Sequence, residues 1–274
     1  MAISNFISTV WSETLLRKLD AEYIGVKNCS RDYEGDIKGK GSTVKICGIG
    51  NVTVSDYTKN SDLAAPETLS DNVRTLYIDQ AKSFNFQIDD VDRAQSNPKI
   101  MQLAMSQAAA ALAEVADRYV YSLYTDATTA NTIKVDALTA DNIVDTIISA
   151  RQLMLKNGVN SNIPTSLEVT PDVAALLLKA QILKATDNTE SLSNGSLGSF
   201  IGFDVYVTPN LTVDSSGYAK CIARTKRAIA FAEQLSEVEA YRPELRFADA
   251  VKGLHLYGAK LVYPNEMVLL NVKV

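Results

Sequence analysis

Residues 97–124 read NPKIMQLAMSQAAAALAEVADRYVYSLY, and this stretch sets the scale of the fold. Asn97 is a good N-cap. Pro98 stands at the first helical position, where its missing N–H would have had no partner in any case. Met101, Met105, Ala108, Leu112, Val115, Tyr119 and Leu123 follow at spacings of three and four, as on one face of a helix. The spacing predicts a helix over 98–124, about 40 Å long at 1.5 Å per residue. The run QAAAALA keeps its side chains small, which lets a second backbone approach closely. In a chain of 274 residues such a helix is a spine.

Immediately upstream lies FNFQIDDVDRAQS, residues 84–96. Phe84, Phe86 and Ile88 alternate with Asn85, Gln87 and Asp89, a period of two. VRTLYID and KSFNFQIDDV, within 73–91, therefore read as a return strand pair. Asp89, Asp90 and Asp92 crowd the junction and admit two readings. Carboxylates can hold a divalent ion or move a proton, which would make a metal-dependent enzyme. Against this, Asp90-x-Asp92 is followed by Ala94 where a calcium loop needs Asp or Asn. Asp89 and Asp90 would also point to opposite faces of a strand. Acids just ahead of a helix N-terminus are favoured by the macrodipole, by about 0.3–1 kcal/mol each. The cluster is assigned to the joint between strand and spine, with Arg74 or Arg93 as countercharge in the same chain or the next.

Outward from the spine the chain alternates. Residues 1–30 form an N-terminal arm, with Phe6, Val10, Trp11 and Leu15 on one short helical face. Residues 31–60 hold five glycines, at 35, 39, 41, 48 and 50, around the β-branched runs STVKI and NVTVSDY. They read as a long hairpin with little core of its own, which needs a partner surface. GDIKGKGST is not a phosphate loop. Glu34 stands where the first glycine belongs, and Gly41 replaces the hydroxyl residue. Downstream, TADNIVDTIISARQLMLKNG reads as a helix capped by Thr139 or Asp141. Ile143, Ile147, Ala150 and Met154 share one face, and Gly158 lies just past the end. A strand, a Thr170 cap with Pro171, and a third helix follow, the alternation of an α/β unit. NTESLSNGSLGSF reads as a polar surface loop. GFDVYVTPN, AKCIART and AIAFAEQ read as strands, and the remainder as a β-rich return.

Composition narrows the function. Net charge is −5 with a pI near 5.1, which gives no footprint of a basic nucleic-acid binder. No apolar run approaches the length of a membrane span, and the N-terminus carries no basic, apolar leader pattern. Cys29, Cys47 and Cys221 are far apart and form no metal or disulfide framework. His255 is the single histidine. Set in GLHLYG between Leu254 and Leu256, it reads as structural. Neither a catalytic site nor a cofactor or metal site is expected.

The order of parts, with RDYEGDIKGKGSTVKI, TLYIDQAKSFNFQIDDVDRAQ, GFDVYVTPNL and LHLYGAKLVYPNEMVLL as its most specific pieces, resembles the major capsid protein of tailed double-stranded DNA phages. That family's fold is named after phage Hong Kong 97. The resemblance implies an α+β subunit with an N-terminal arm (1–30), an extended β-hairpin loop (31–72) and a peripheral domain carrying the spine (73–128). An axial α/β domain (129–232) and return strands of the peripheral domain (233–274) complete it. It implies self-assembly into the hexamers and pentamers of an icosahedral virion shell around packaged DNA, in the host bacterial cytoplasm. A separate scaffolding protein, a portal and decoration proteins would be its partners. Lys38, Lys40, Lys45, Asp56, Arg74, Asp89, Asp90, Asp92 and Arg93 are then candidates for contacts between subunits. Lys220, Arg224, Lys226 and Arg227 are candidates to face DNA, or else mark a solvated strand edge. An encapsulin-type compartment shell is the alternative with the same fold.

The joint and metal readings of the acidic cluster part experimentally. Replacing Asp89, Asp90 and Asp92 together by Asn should lower thermal stability or particle yield. Calorimetric titration with Mg²⁺, Mn²⁺ and Ca²⁺ should be the same for variant and parent. A binding isotherm present in the parent and lost in the variant would favour the metal site.

Overall fold

The spine exists and is long. In the computed structural model, which describes residues 15, 17–33, 43–49, 59, 71–89, 100–180, 196–245 and 247–274, helix α1 spans Ile100–Ser122. It runs on into a 3-10 turn at Leu123–Asp126. The stripe it buries differs from the expected one. Met105, Ala109, Leu112, Ala113, Ala116, Val120 and Tyr121 are buried, whereas Val115 is 39% exposed. The expectation followed the large side chains. The observed stripe follows the alanines, because the N-terminal arm lies against them with its backbone. At Gly25 of the arm an added Cβ would stand 2.8 Å from the Tyr121 ring. Only a residue without a side chain fits there.

Two sheets flank this spine. The smaller has three antiparallel strands in the order β3-β10-β9, with β3 at Gln80–Asp89, β9 at Ile229–Tyr241 and β10 at Ala248–Leu261. The larger has six strands, β4-β11-β8-β5-β7-β6. These are Thr132–Val135, Met267–Lys273, Tyr218–Thr225, Thr165–Val169, Phe203–Val207 and Ser196–Phe200. It is mixed: β4 with β11 and β5 with β7 are parallel, the other pairs antiparallel. Helices α2 (Ile143–Lys156) and α3 (Pro171–Lys179) belong to the same unit. Ile143, Ile147, Ala150 and Met154 of α2 are buried as read from the sequence. One continuous core joins α1, the arm, α2, α3 and the strands of both sheets.

Local signals hold at α3, where Thr170 Oγ1 accepts from the Val173 N–H and Pro171 opens the helix. They hold again at Gly158, whose φ of +86° suits a residue without Cβ. Others need correction. The cap of α2 is Asn142, not Thr139 or Asp141; its Oδ1 accepts from the Thr139 N–H at 2.8 Å. SLGSF, read as part of a loop, is the edge strand β6. VRTLYID and KSFNFQIDDV do not pair with each other. The first is β2 (Asp71–Tyr77) and pairs with β1 (Thr43–Ile49), while the second is β3 and pairs with β10. The return also divides: β9 and β10 stay with β3, but β11 enters the six-stranded sheet between β4 and β8.

The hairpin base has more core than its composition suggested. Val44 and Ile46 of β1 with Leu76 and Ile78 form a buried cluster on Ala230, Ala232, Leu256 and Val262 of the same chain. The small alanines of β9 allow that close seat. The rest of the expected loop lies outside the described residues.

The tightest point of this seat is Gly258. A Cβ added there would stand 2.1 Å from the Tyr77 carbonyl oxygen, a backbone atom that cannot swing aside. Gly258→Ala should therefore destabilise the subunit by about 1–3 kcal/mol, read from the midpoint of urea unfolding. An unchanged midpoint would mean that β10 and the hairpin base are not packed this closely.

Candidate assembly site: the arm anchor and the exposed turn

The arm enters the body through a short turn, Val26–Asn28, preceded by Gly25. Such a turn leaves most of its amide groups without partners inside it. The spine and the six-stranded sheet supply them from opposite sides. From α1, the Asp117 carboxylate accepts from the Ile24 N–H at 3.0 Å and the Val26 N–H at 2.9 Å. From β8, Arg224 Nη2 donates to the Gly25 carbonyl at 2.7 Å, and Nη1 to Cys29 Sγ at 3.1 Å. The same guanidinium grips Glu168 of β5 with two hydrogen bonds, 3.0 and 2.7 Å, and both side chains are fully buried. Asn28 Nδ2 donates to Glu168 Oε1 at 3.0 Å.

Burial dominates the electrostatics of this centre. It pushes the Asp117 carboxyl above its usual range, against the pull of the amides of Ile24, Val26 and Gly25. It raises the Cys29 thiol despite Arg224, and holds Tyr121 far from ionisation. For Arg224 burial acts the other way, and Cys29 and Glu168 outweigh it, so the guanidinium stays charged.

A second tie holds the arm to β9. Ser30 accepts from the Phe231 N–H and donates to the Ile229 carbonyl, both at 2.9 Å. Beside it, Glu233 receives the Tyr23 hydroxyl, Arg31 and His255 Nε2, the last at 2.8 Å. Burial would raise the Glu233 pKa, but His255, Tyr23 and Arg31 together lower it. His255 is thus buried and bonded, in keeping with the structural role read for it.

The remaining residues named from sequence fall into three groups. Lys45 is exposed on β1, and Arg74 donates to the Leu261 carbonyl at 3.0 Å, so its partner is backbone of the same chain. Asp89 ends β3 opposite Ala248. Lys38, Lys40, Asp56, Asp90, Asp92 and Arg93 lie outside the described residues. The four basic residues proposed to face DNA do not share a surface. Arg224 is corrected outright: it is wholly buried and committed to Glu168 and Gly25. Lys220 is buried too, between Asp214 at 2.9 Å and Asn271 at 2.6 Å. Arg227 pairs with Glu266 at 2.6 Å, and Lys226 is exposed.

Sequence reasoning missed the turn that joins β9 to β10. There Leu245 is 97% exposed and Phe247 84% exposed. Two large apolar side chains standing in water at the end of a rigid ribbon mark a contact surface. The signal was present in YRPELRFAD, where a proline and charges bracket two hydrophobes that cannot both turn inward.

Two sheets, a spine, an arm tied between them and an apolar turn left uncovered describe a building block. A family model for phage capsid proteins matches residues 74–269. The chain belongs to the phage capsid protein family. It is a major capsid protein, the shell subunit of an icosahedral phage head. The chain is similar to a solved structure from Mycobacterium phage Che8, with 29% identity over 91% of each chain and a TM-score of 0.70. It shares its fold with the capsid of Ralstonia phage GP4, at 11% identity, 92% and 88% coverage and a TM-score of 0.67. It also shares it with a virus-like particle from Pyrococcus furiosus, at 14% identity, 97% and 99% coverage and a TM-score of 0.57. No curated protein matches the sequence.

The anchor of this capsid subunit makes a quantitative prediction. Removing one partner of a buried ion pair strands the other charge, at a cost of about 3–5 kcal/mol. Glu168→Leu and Arg224→Met should each lose about that much stability in urea unfolding. The double variant should fall well short of their sum. Additive losses would show that the two side chains are not coupled.

Proposed function

We propose that the capsid subunit assembles as hexamers and pentamers and encloses double-stranded DNA without reading its sequence. In this reading the six-stranded sheet with α2 and α3 lies nearest the capsomer axis. The spine and the three-stranded sheet lie at the periphery, and residues 31–72 reach over a neighbour. The arm is residues 1–30. The peripheral unit then comprises 73–128 and the β9–β10 return, while the axial unit gains β11. Lys38, Lys40, Lys45 and Asp56 of the loop, with Arg74, Asp89, Asp90, Asp92 and Arg93 near the joint, meet neighbouring subunits. Of the basic candidates, Lys226 is the one left to face DNA. A net charge of −5 suits a shell that keeps DNA by enclosure rather than by phosphate contacts. Assembly takes place in the host bacterial cytoplasm with a separate scaffolding protein and a portal, and decoration proteins bind the finished shell.

The observation that carries this reading is the β9–β10 turn, whose Leu245 and Phe247 are covered by nothing in their own chain. The second reading, a compartment shell, draws on the likeness to the Pyrococcus furiosus particle. Particle contents separate the two: packaged DNA supports the phage head, and enclosed protein supports the compartment.

Each side chain buried in a contact contributes about 1.5–3 kcal/mol, and about 1.4 kcal/mol is tenfold in affinity. Leu245→Ser with Phe247→Ser should leave the subunit folded by circular dichroism while raising the concentration needed for assembly at least tenfold. Electron microscopy and sedimentation report the particles. Wild-type assembly by a folded double variant would show that the turn is not an assembly contact.

A further inference from the structure

The outward face of the three-stranded sheet carries a shallow depression of about 290 Å³. Its floor is Phe84 and Gly253. A Cβ at Gly253 would lie 2.4 Å from the Phe84 ring, so the aromatic side chain occupies the room that the glycine leaves. Leu254, 37% exposed, forms an apolar wall. Asn85 and the Lys252–Glu239 pair, 2.8 Å apart, form a polar rim. The depression is thus a small apolar seat inside a ring of one acid, one base and an amide. The β9–β10 turn is its counterpart in composition: Leu245 and Phe247 are flanked by the acid Glu244 and the base Arg242.

The turn cannot reach the depression of its own chain. Six residues of extended ribbon separate Phe247 from Gly253, about 20 Å at 3.4 Å per residue. β10 is held straight by pairing on both sides. A knob and a seat on one rigid ribbon, too far apart to meet, can meet only between copies. We propose that the Leu245–Phe247 turn of one capsid subunit docks into the Phe84–Gly253–Leu254 depression of a second copy, with Glu244 facing Lys252. The proposal rests on the shell reading and specifies one of its contacts. The contact is heterologous: each copy gives one knob and receives one, so successive copies close a ring when the rotation between them allows it. An exposed aromatic anchor entering a pocket with a polar rim is also the arrangement in which contact energy concentrates.

Disulfide trapping in assembled particles tests this directly. Cys29 and Cys221 are buried, so a Cys47→Ala background leaves the introduced thiols as the accessible pair. Phe247→Cys with Leu254→Cys, and separately Phe247→Cys with Asn85→Cys, should give covalent dimers and higher species on a non-reducing gel of mildly oxidised particles. Each single substitution should give none. Intact particles that yield no ladder from either pair overturn the docking and leave the shell reading in place. A ladder from Phe247→Cys alone, in which knob meets knob, also overturns it. Failure of the parent chain to form particles under any condition, including with its scaffold, would remove the shell reading and the docking together. As a second readout, Lys252→Glu should reduce assembly at least tenfold, and adding Glu244→Lys should restore it. Absence of that rescue counts against the proposed pairing.

Discussion

Arg224 is the point through which the rest of the subunit is tied. Its guanidinium lies wholly inside the protein and serves three chain segments at once: β5 through Glu168, and the arm through the Gly25 carbonyl and the Cys29 sulfur. A buried ion pair is weak as a source of net stability, because desolvating two charges offsets most of their attraction. Its contribution is to geometry. Once the charge is inside, every donor must find an acceptor, and the arm supplies acceptors in one conformation only. Asp117 imposes the same condition from the spine, because its buried carboxylate needs the amides of the same turn. The arm is thus clamped between a cation that takes its carbonyl and an anion that takes its N–H groups. The small residues of α1 and the bare Gly25 follow from this, since neither charge could reach the turn across bulky side chains.

That clamp divides the molecule into a part that cannot deform and a part that meets other copies. The six-stranded sheet is covered by α2 and α3 and shares its core with the spine. The three-stranded sheet extends as a ribbon whose far end carries Leu245 and Phe247 in water. Its near end is fixed through Glu233, which binds Tyr23, Arg31 and His255. A ribbon held rigidly at one end and apolar at the other transmits the orientation of the subunit to its neighbour. A loop carrying the same two side chains would transmit none of it. Shell closure depends on angles, so contact residues are best placed on such an element.

The sequence was most legible where one local rule acts alone. The spine, the buried face of α2, the Thr170-Pro171 start of α3 and Gly158 rest on periodicity, capping and positive φ, and each lies where it was read. It was less legible where a distant partner chooses among local options. The face that α1 buries was misread because size suggested Met101 and Val115, whereas the arm required Ala109, Ala113 and Ala116. SLGSF was read as a loop because its serines and glycine carry no strand preference, and pairing with β7 decides the matter. Arg224 was placed near DNA because it sits in a run of basic residues. Glu168, which draws it inward, stands 56 positions away inside a run, SLEVT, that otherwise reads as a plain buried strand. An acid in the middle of such a strand was the available clue, since it demands a cation from another segment.

The exposed turn shows why assembly surfaces differ in kind from active sites in what a sequence can reveal. A catalytic site gathers unusual residue types, and chemistry limits which ones. A contact between copies uses ordinary hydrophobes, and only their failure to be buried marks them. In YRPELRFAD the two apolar residues look like any others until the fold puts them at the end of a ribbon that nothing covers. The modest net charge fits the same logic. A subunit that had to gather DNA by attraction would need a basic face, and in this one three of the four basic candidates on or beside β8 are engaged internally, Lys220, Arg224 and Arg227. What remains on the surface to organise many copies is shape and a few apolar side chains. For a shell those suffice, because weak contacts repeated around closed rings add up to a strong enclosure.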